Sequence, residues 1–164
     1  MKQLAKTIES KVKIRFPDCD PFNHLNNSKY IDYIINTRED QLLEFYDFDI
    51  YKLAREKGIS WVVAQNQIAY LAPATLMETV TIQTQLIFCN EKALILDALM
   101  WNEDKTVLKA VLWTKLIHYN LMTKKSVIHS EELMRFFKQV ENPLNEKISF
   151  EKRVENLRFS NAYK

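Results

Sequence analysis

The sequence predicts an α+β domain in which a curved antiparallel sheet wraps around one long central helix. A long helical segment without proline or glycine is apolar on nearly every side in its first half, so it needs cover on most sides. Four strand-like runs come after it, and only short polar stretches separate them. Short separators favour antiparallel neighbours, because a parallel crossover needs about a dozen residues or more. A curved sheet around the helix satisfies both patterns.

Length and composition indicate one domain of ordinary globular character. The chain has 164 residues, of which 47% are apolar and 27% are charged. That length allows a single domain over residues 1–164 with a buried core, and from about residue 130 we expect a helical or charged C-terminal tail. The net charge of +2 is too small to indicate binding of nucleic acid, but a modestly basic surface is compatible with a phosphorylated ligand.

Several protein classes are excluded by what the chain lacks. No apolar run has the length of a membrane span, and the first residues lack the apolar stretch of a secretory signal. Cys19 and Cys89 have no metal or redox spacing, so we expect a reduced cytoplasmic protein. Gly58 is the only glycine, which excludes the phosphate-binding loops that need several glycines in one turn.

The first half of the chain predicts one strand and two helices. Residues 6–16 alternate well enough for a strand, and residues 26–48 are helical, with Asn26 or Asn27 as the N-cap. The apolar first half of this helix contains Tyr30, Ile31, Tyr33, Ile34 and Ile35. The polar residues 38–41 interrupt it, and we expect the helix to leave its cover there. Residues 50–57 form a short helix that Gly58 ends.

The second half predicts four strands and a late helix. The strands are expected at residues 59–71, 78–88, 93–102 and 107–121, as a meander of neighbours. The second of them places Val80, Ile82, Leu86 and Phe88 on one face and Thr79, Thr81, Gln83 and Gln85 on the other. Residues 130–140 form a helix with Ser130 as N-cap, and the last twenty residues form a helix or a loose tail.

The stretch DCDPFNHLNN, residues 18–27, carries the candidate chemistry, and a metal site is the first interpretation. A calcium EF-hand is excluded, because its loop needs an acidic or amide residue, a glycine and a glutamate where this chain has Phe22, Asn23 and Lys29. A zinc site would need a further ligand, and the other histidines, His118 and His129, do not lie at a spacing that is typical of zinc ligands. No metal is therefore expected.

A plain helix N-terminus is the second interpretation of the stretch. Asn26 or Asn27 would satisfy free backbone amides, and Asp18 and Asp20 would lie near the positive end of the helix dipole. This explains the asparagines, but it does not require two aspartates at that spacing or a histidine beside a proline.

Acyl transfer is the third interpretation. The free amides of a helix N-terminus can hold the oxyanion that develops when a substrate carbonyl is attacked. A carboxylate just upstream, turned back by Pro21, can face the carbonyl carbon as a nucleophile or as the base for a water. Cys19 is a weaker candidate nucleophile, since it has no assigned base and alternation turns it away from Asp20.

The segment RFPDCDPFNHLNNSKYIDYI resembles the opening of the hotdog-fold acyl thioesterases, in the group of the 4-hydroxybenzoyl-CoA and acyl-ACP thioesterases. The resemblance covers about residues 12–119 and implies the hotdog fold, a sheet around a central helix. It places the catalytic aspartate at Asp20, the backbone amide that polarises the carbonyl near Asn27, and the motif histidine at His24. Asp18 is expected to be structural.

The chain also departs from this family. Many relatives have glycine where Asn23 stands, but asparagine tolerates a left-handed backbone. Phe22 replaces an asparagine of the acyl-ACP enzymes and is expected to line the acyl pocket, and Phe22, Asn23 and Tyr30 are the expected substrate-binding residues.

The resemblance implies an enzyme that hydrolyses an acyl-CoA thioester to a fatty or other acid and a free thiol. It implies no metal or redox cofactor, and it implies a homodimer or homotetramer. The alternatives are an acyl-ACP thioesterase and a non-catalytic acyl- or lipid-binding protein of the same fold.

Overall fold

The structure is a computed structural model that describes residues 4–162. The strands are β1 (Thr7–Lys13), β2 (Ile59–Tyr70), β3 (Thr79–Cys89), β4 (Ala93–Asn102), β5 (Leu108–Asn120) and the two-residue β6 (Lys125–Ser126). The helices are α1 (Tyr30–Tyr46), α2 (Ile50–Lys57), α3 (Glu131–Val140) and α4 (Phe150–Ala162). Short 3-10 turns occupy Phe16–Asp18 and Asn27–Lys29. The predicted tail is therefore a helix as far as Ala162, and its last two residues lie outside the described range.

The sheet is antiparallel throughout, in the order β1-β3-β4-β5-β2, with β6 paired to β5. The α+β prediction of an antiparallel sheet with a long helix against it is confirmed. The predicted meander is wrong in one respect, because β2 pairs with β5 at an edge and not with β3. The connection from β2 to β3 passes the start of α1, where Ala74 accepts a hydrogen bond from the Leu25 amide at 2.8 Å. The length of the segment between two strands does not by itself predict which strand each of them pairs with.

The core under α1 forms from one stripe of the helix. Tyr30, Ile34, Thr37 and Gln41 are the buried residues of α1, at the spacing of a single helix face. Opposite them lie alternate residues of the central strands: Val80, Ile82, Ala98, Met100, Ala110 and Leu112. Ile31, Tyr33 and Ile35 are only partly buried, so the expectation that this helix is buried on most sides is wrong for the single chain, which buries one face of α1.

A β-bulge changes the predicted alternation of β3. The register with β4 shifts between Leu86 and Phe88. Past this point Phe88 is 42% exposed and Cys89 is buried, so Phe88 does not share the buried face of Val80 and Ile82. A bulge adds one residue to one strand, and every side chain beyond it changes face.

Local end signals lie where the sequence placed them. Ser130 accepts the Leu133 amide with its side chain and caps α3, and Gly58 ends α2 in the left-handed conformation at φ 64°. Asp47, also left-handed at φ 53°, ends α1. Its amide and that of Phe48 donate to the carbonyls of Leu43 and Leu42, which is the usual way a left-handed cap satisfies the last carbonyls of a helix.

Candidate active site

Asp20 lies in a turn that its own side chain holds. Its Oδ1 accepts hydrogen bonds from the backbone amides of Phe22 at 2.9 Å and His24 at 3.0 Å. The Asp20 amide in turn donates to the His24 carbonyl at 2.7 Å. Within residues 4–162 no hydrogen bond occupies the second oxygen, Oδ2. The carboxylate is thus fixed in direction, with one oxygen left for chemistry.

The rest of the loop is fixed against the connection between β2 and β3. Asn23 has φ 61°, so the prediction that asparagine adopts a left-handed turn here is confirmed. Its carbonyl accepts the Leu76 amide at 2.9 Å, and His24 forms a β-bridge with Thr75. Backbone contacts of this kind restrict the positions that the Asp20 carboxylate can take.

The start of the helix supplies a free amide. Asn26 caps the 3-10 turn that leads into α1, with its Oδ1 accepting the Ser28 amide at 3.0 Å and its carbonyl accepting the Lys29 amide at 2.8 Å. The Asn27 carbonyl accepts the Tyr70 hydroxyl at 2.9 Å. In the described part of the chain no hydrogen bond occupies the Asn27 amide itself. That amide is therefore available to a substrate oxygen.

Asp18, the first aspartate of the motif, has contacts that anchor the loop to the helix. Its Oδ2 accepts the Tyr33 hydroxyl hydrogen at 2.8 Å, and the same hydroxyl oxygen accepts the Arg15 amide at 3.0 Å. Its carbonyl accepts the Asn26 amide at 2.9 Å. Burial, opposed by the Arg15 bond and reinforced by Asp18, raises the pKa of Tyr33, so the phenol stays a donor. These contacts agree with a structural role.

The other residues expected at the site occupy different environments. The backbone of His24, and not its ring, holds Asp20, since the described residues offer the imidazole no hydrogen bond. Phe22 is 78% exposed. Tyr30 is only 2% exposed, and its hydroxyl oxygen accepts the Ala74 amide at 3.0 Å. The substrate contacts expected of Phe22, Asn23 and Tyr30 stay predictions.

Cys19 has the environment of a protonated thiol. Its Sγ contacts the Arg15 carbonyl at 3.4 Å, and the residue packs against the core below α1. Burial, followed by the charges of Asp18 and Asp20, raises the pKa of this thiol. A thiol with a raised pKa is a poor nucleophile, which leaves the Asp20 carboxylate as the candidate.

A small apolar cavity lies beyond the middle of α1. Its volume is about 150 Å³, and α1, β2, β4, β5 and α3 all contribute to its walls. Most of the lining is aliphatic or aromatic, for example Ile35, Leu42, Trp61, Leu94, Leu116 and Phe137. Arg38 and Glu39 supply its charged groups.

Residues 4–162 contain neither a cluster of metal-binding side chains nor a helix that could span a membrane. No three histidine, cysteine, aspartate or glutamate side chains in this range lie close enough together to hold a metal ion. No helix within it is both long and apolar enough to cross a membrane.

A family profile described as thioesterase-like superfamily matches residues 14–137, more than half of the chain. The chain belongs to the thioesterase-like superfamily. The match begins just after β1, spans the motif loop, α1 and the strands β2 to β5, and ends within α3. The resemblance to hotdog-fold acyl thioesterases is thereby confirmed, as is the expectation of a thioester hydrolase at the level of the family.

Similar proteins agree with this membership. Long-chain acyl-CoA thioesterase FadM of Escherichia coli is 26% identical over 133 residues, which are 81% of this chain and 98% of FadM. The crystal structure of YbaW, a probable thioesterase from Escherichia coli, has a TM-score of 0.69 at 26% identity and covers 82% of this chain and 98% of its own. SAV2348 from Staphylococcus aureus, in complex with CoA, has a TM-score of 0.72 at 12% identity, over 92% of this chain and 99% of its own. At that identity SAV2348 shows the fold alone.

This thioesterase-family chain also holds a buried polar network that was not predicted from the sequence. Arg38 Nη1 donates to the Thr84 hydroxyl at 3.0 Å, and that hydroxyl donates to Oε1 of Gln41. Gln41 Nε2 reaches the Ile82 carbonyl at 3.1 Å. Gln41 is fully buried, so the expectation that the helix leaves its cover at residues 38–41 is wrong there. The available signal was spacing, because Gln41 lies seven residues after Ile34 on the same helix face.

Proposed function

We propose that this protein hydrolyses acyl-CoA thioesters to a free acid and free coenzyme A, with Asp20 as the nucleophile or general base. One observation carries the proposal. The Asp20 carboxylate is oriented by the amides of Phe22 and His24 and keeps one oxygen free, directly before a helix start whose Asn27 amide is also free. A free carboxylate oxygen and a free amide donor are the two groups that acyl transfer needs.

The chemistry assigns one role to each group. The Asn27 amide donates to the thioester carbonyl oxygen and stabilises the negative charge that develops there. The free oxygen of Asp20 either attacks the carbonyl carbon and expels the thiolate, after which water cleaves the resulting anhydride, or it takes a proton from a water that attacks directly. Both routes add one water and release one acid and one thiol.

Coenzyme A is the proposed leaving group. FadM, a long-chain acyl-CoA thioesterase by name, and the fold-level neighbour solved with CoA support it. Acyl carrier protein is the alternative carrier. A non-catalytic acyl-binding protein is the alternative function, but it gives no reason for a carboxylate held with one oxygen free beside a helix start. The cytoplasmic location stays a prediction.

The decisive experiment compares Asp20→Asn with Asp18→Asn. The amide oxygen of asparagine can still accept from Phe22 and His24, so the turn should persist while the negative oxygen is lost. We expect Asp20→Asn to lower kcat/KM for acyl-CoA by more than about a thousandfold. Asp18→Asn is the matched control, since its side-chain oxygen can still accept from Tyr33. It should retain appreciable turnover.

Thiol release, acyl-CoA binding and thermal melts should be measured on both variants. Near-normal turnover of Asp20→Asn together with an inactive Asp18→Asn would mean that the wrong carboxylate is assigned. Normal turnover in both variants would show that neither carboxylate takes part in catalysis. Binding of acyl-CoA without hydrolysis by the unchanged protein would favour the binding-protein alternative.

We further propose that the chain forms at least a dimer, either a homodimer or a homotetramer. β2 is an edge strand, and its outer backbone groups have no strand beside them in the described chain. Val62 and Val63 on it are 39% and 52% exposed. An exposed apolar edge favours pairing with another copy. Light scattering at micromolar concentration tests this, and a fully active monomer would contradict it.

A further inference from the structure

Arg38 is a partly buried cation without a counter-ion. Within the described residues no carboxylate oxygen lies within 4.0 Å of its guanidinium nitrogens. Its neutral contacts are the Thr84 hydroxyl at 3.0 Å and the ring of Tyr46, whose centroid is 5.8 Å from the guanidinium carbon. Burial lowers the pKa of Arg38 below its ordinary value, which reflects the loss of water around the charge.

The second partly buried arginine shows what Arg38 lacks. Arg153 Nη2 meets Oδ2 of the buried Asp97 at 2.7 Å. Arginine keeps its charge in proteins, and a charge removed from water is costly unless an opposite charge or several hydrogen bonds compensate it. A guanidinium carries five N–H donors in a planar fork. The donors of Arg38 that Thr84 does not use are suited to a carboxylate.

The cavity beside Arg38 determines what such a carboxylate would be attached to. Its walls are mainly apolar, and its volume of about 150 Å³ equals that of an engineered cavity known to hold one benzene. On the order of six carbon atoms therefore fit inside. Glu39 also borders the cavity, but its Oε2 accepts the Tyr51 hydroxyl hydrogen at 2.6 Å.

We propose that this cavity binds an apolar chain that ends in a carboxylate, with the carboxylate on the Arg38 guanidinium and the hydrocarbon among the apolar walls. Two sources can supply this chemistry. One is the far end of a substrate acyl chain, and the other is a free carboxylic acid such as a hydrolysis product. The binding site itself does not depend on the proposed hydrolysis, whereas the first source does.

The first source has a geometric requirement. α1 presents Ile31, Ile35, Arg38 and Leu42 at helical spacing on one side, and this row runs from near the Asn27 amide to the cavity. The distance along the axis from Asn27 to Arg38 is roughly 17 Å. An extended chain of roughly a dozen carbons covers about 14 Å of that distance, because its bonds of about 1.5 Å zigzag and advance only about 1.25 Å each. The Arg38 side chain, which like other helix side chains tilts toward the helix N-terminus, covers the remainder.

Direct binding tests the site without any turnover. Calorimetry should compare octanoate with 1-octanol on the unchanged protein, on Arg38→Met and on Arg38→Lys. We expect octanoate to bind at least about tenfold more tightly than 1-octanol, because charge-assisted hydrogen bonds discriminate by that much or more. Arg38→Met should abolish the difference and Arg38→Lys should keep part of it. Arg55→Met, on exposed α2, is the control and should change nothing.

Two results of the binding test overturn the proposal. One is equal affinity of the unchanged protein for octanoate and 1-octanol, and the other is a preference for octanoate that survives in Arg38→Met. If a thermal melt shows that Arg38→Met is not folded, the proposal is still tested by comparing the two ligands on the unchanged protein and on Arg38→Lys.

Hydrolysis then separates the two sources. Dodecanedioyl-CoA carries a carboxylate at its far end and dodecanoyl-CoA does not. A higher kcat/KM for dodecanedioyl-CoA that is lost in Arg38→Met identifies the substrate end as the source. Equal kcat/KM values with inhibition by octanoate, also lost in Arg38→Met, identify a free acid. If the enzyme shows no selectivity for dodecanedioyl-CoA and is not inhibited by octanoate, the proposal is contradicted. Failure to hydrolyse any thioester would overturn the proposed function and leave the calorimetric result standing.

Discussion

Arg153 of α4 donates from Nη2 to Oδ2 of Asp97 in β4 at 2.7 Å, on the face of the sheet opposite α1. Alternation along β4 separates the two faces, since Ala98 and Met100 belong to the core under α1 whereas Leu99 packs with α4. Trp113 and Gln85 also donate to the Asp97 carboxylate, each at 2.8 Å. The charged C-terminal segment is therefore attached to the sheet by a satisfied buried carboxylate.

Arg153→Met is expected to destabilise the fold by about 2–4 kcal/mol, because it leaves the buried Asp97 charge with neutral donors only. Lys152→Met is the matched control. Its partner Glu155 is exposed, and exposed ion pairs contribute little, so we expect a change within about 0.5 kcal/mol. Urea unfolding of both variants measures the difference, and equal stabilities would show that the ion pair does not anchor α4.

Two histidines form a neutral buried pair at the other end of the sheet. His118 and His129 stack with centroids 4.6 Å apart, and both are at most 5% exposed. His129 Nε2 accepts the Trp61 indole N–H at 3.0 Å, and His118 Nδ1 lies 3.2 Å from the Val127 carbonyl. The Nε2 atom of His118 is buried without a partner among the described residues. A proton added there would have no acceptor.

Acidification should destabilise the protein through this pair. Burial is the main cause that lowers the pKa of both imidazoles in the folded state. In the unfolded chain histidine has its ordinary pKa of about 6.5. Between that pH and the lowered pKa values of the folded state, the unfolded chain therefore binds more protons than the folded one. The stabilisation of the fold by the two neutral histidines is fully present above about pH 6.5. It is lost as the pH falls through their lowered pKa values in the folded state.

Thermal melts at pH 7.5 and pH 5.5 measure the effect, with His118→Asn as the comparison. Asparagine can still donate to the Val127 carbonyl but does not titrate. We expect the melting temperature of the unchanged protein to fall more between the two pH values than that of the variant. An equal fall in both would assign the acid sensitivity to other groups.

His24→Ala should impair turnover less than Asp20→Asn. The Asp20 turn depends on the backbone amide and carbonyl of His24, which alanine retains. A loss of about ten- to a thousandfold in kcat is the most that one lost hydrogen bond to substrate would cause. Steady-state kinetics of His24→Ala, Asp20→Asn and the unchanged protein measure the difference. A His24 variant as inactive as Asp20→Asn would make the imidazole the general base.

The sequence by itself determined the features that depend on neighbours within a few residues. Ser130 marks the start of α3, Gly58 marks the end of α2, and Asn26 marks the start of the 3-10 turn before α1, because a cap joins groups only two to four positions apart. The Asp20 turn is of the same kind, since its bonds reach only as far as His24. The α+β class also followed from local periodicity, because a helix and a strand repeat at different intervals.

Only the tertiary structure decided the features that depend on which distant segments meet. The place of β2 beside β5, the bulge in β3 and the Asp97–Arg153 pair involve partners far apart in the chain. The burial of Gln41 depends in the same way on β3, and the unpaired charge of Arg38 depends on the several elements that enclose the cavity beside it. Local periodicity shows which face of an element is apolar, but not which element covers it, and a polar residue on a covered face becomes a buried network only once that cover is in place.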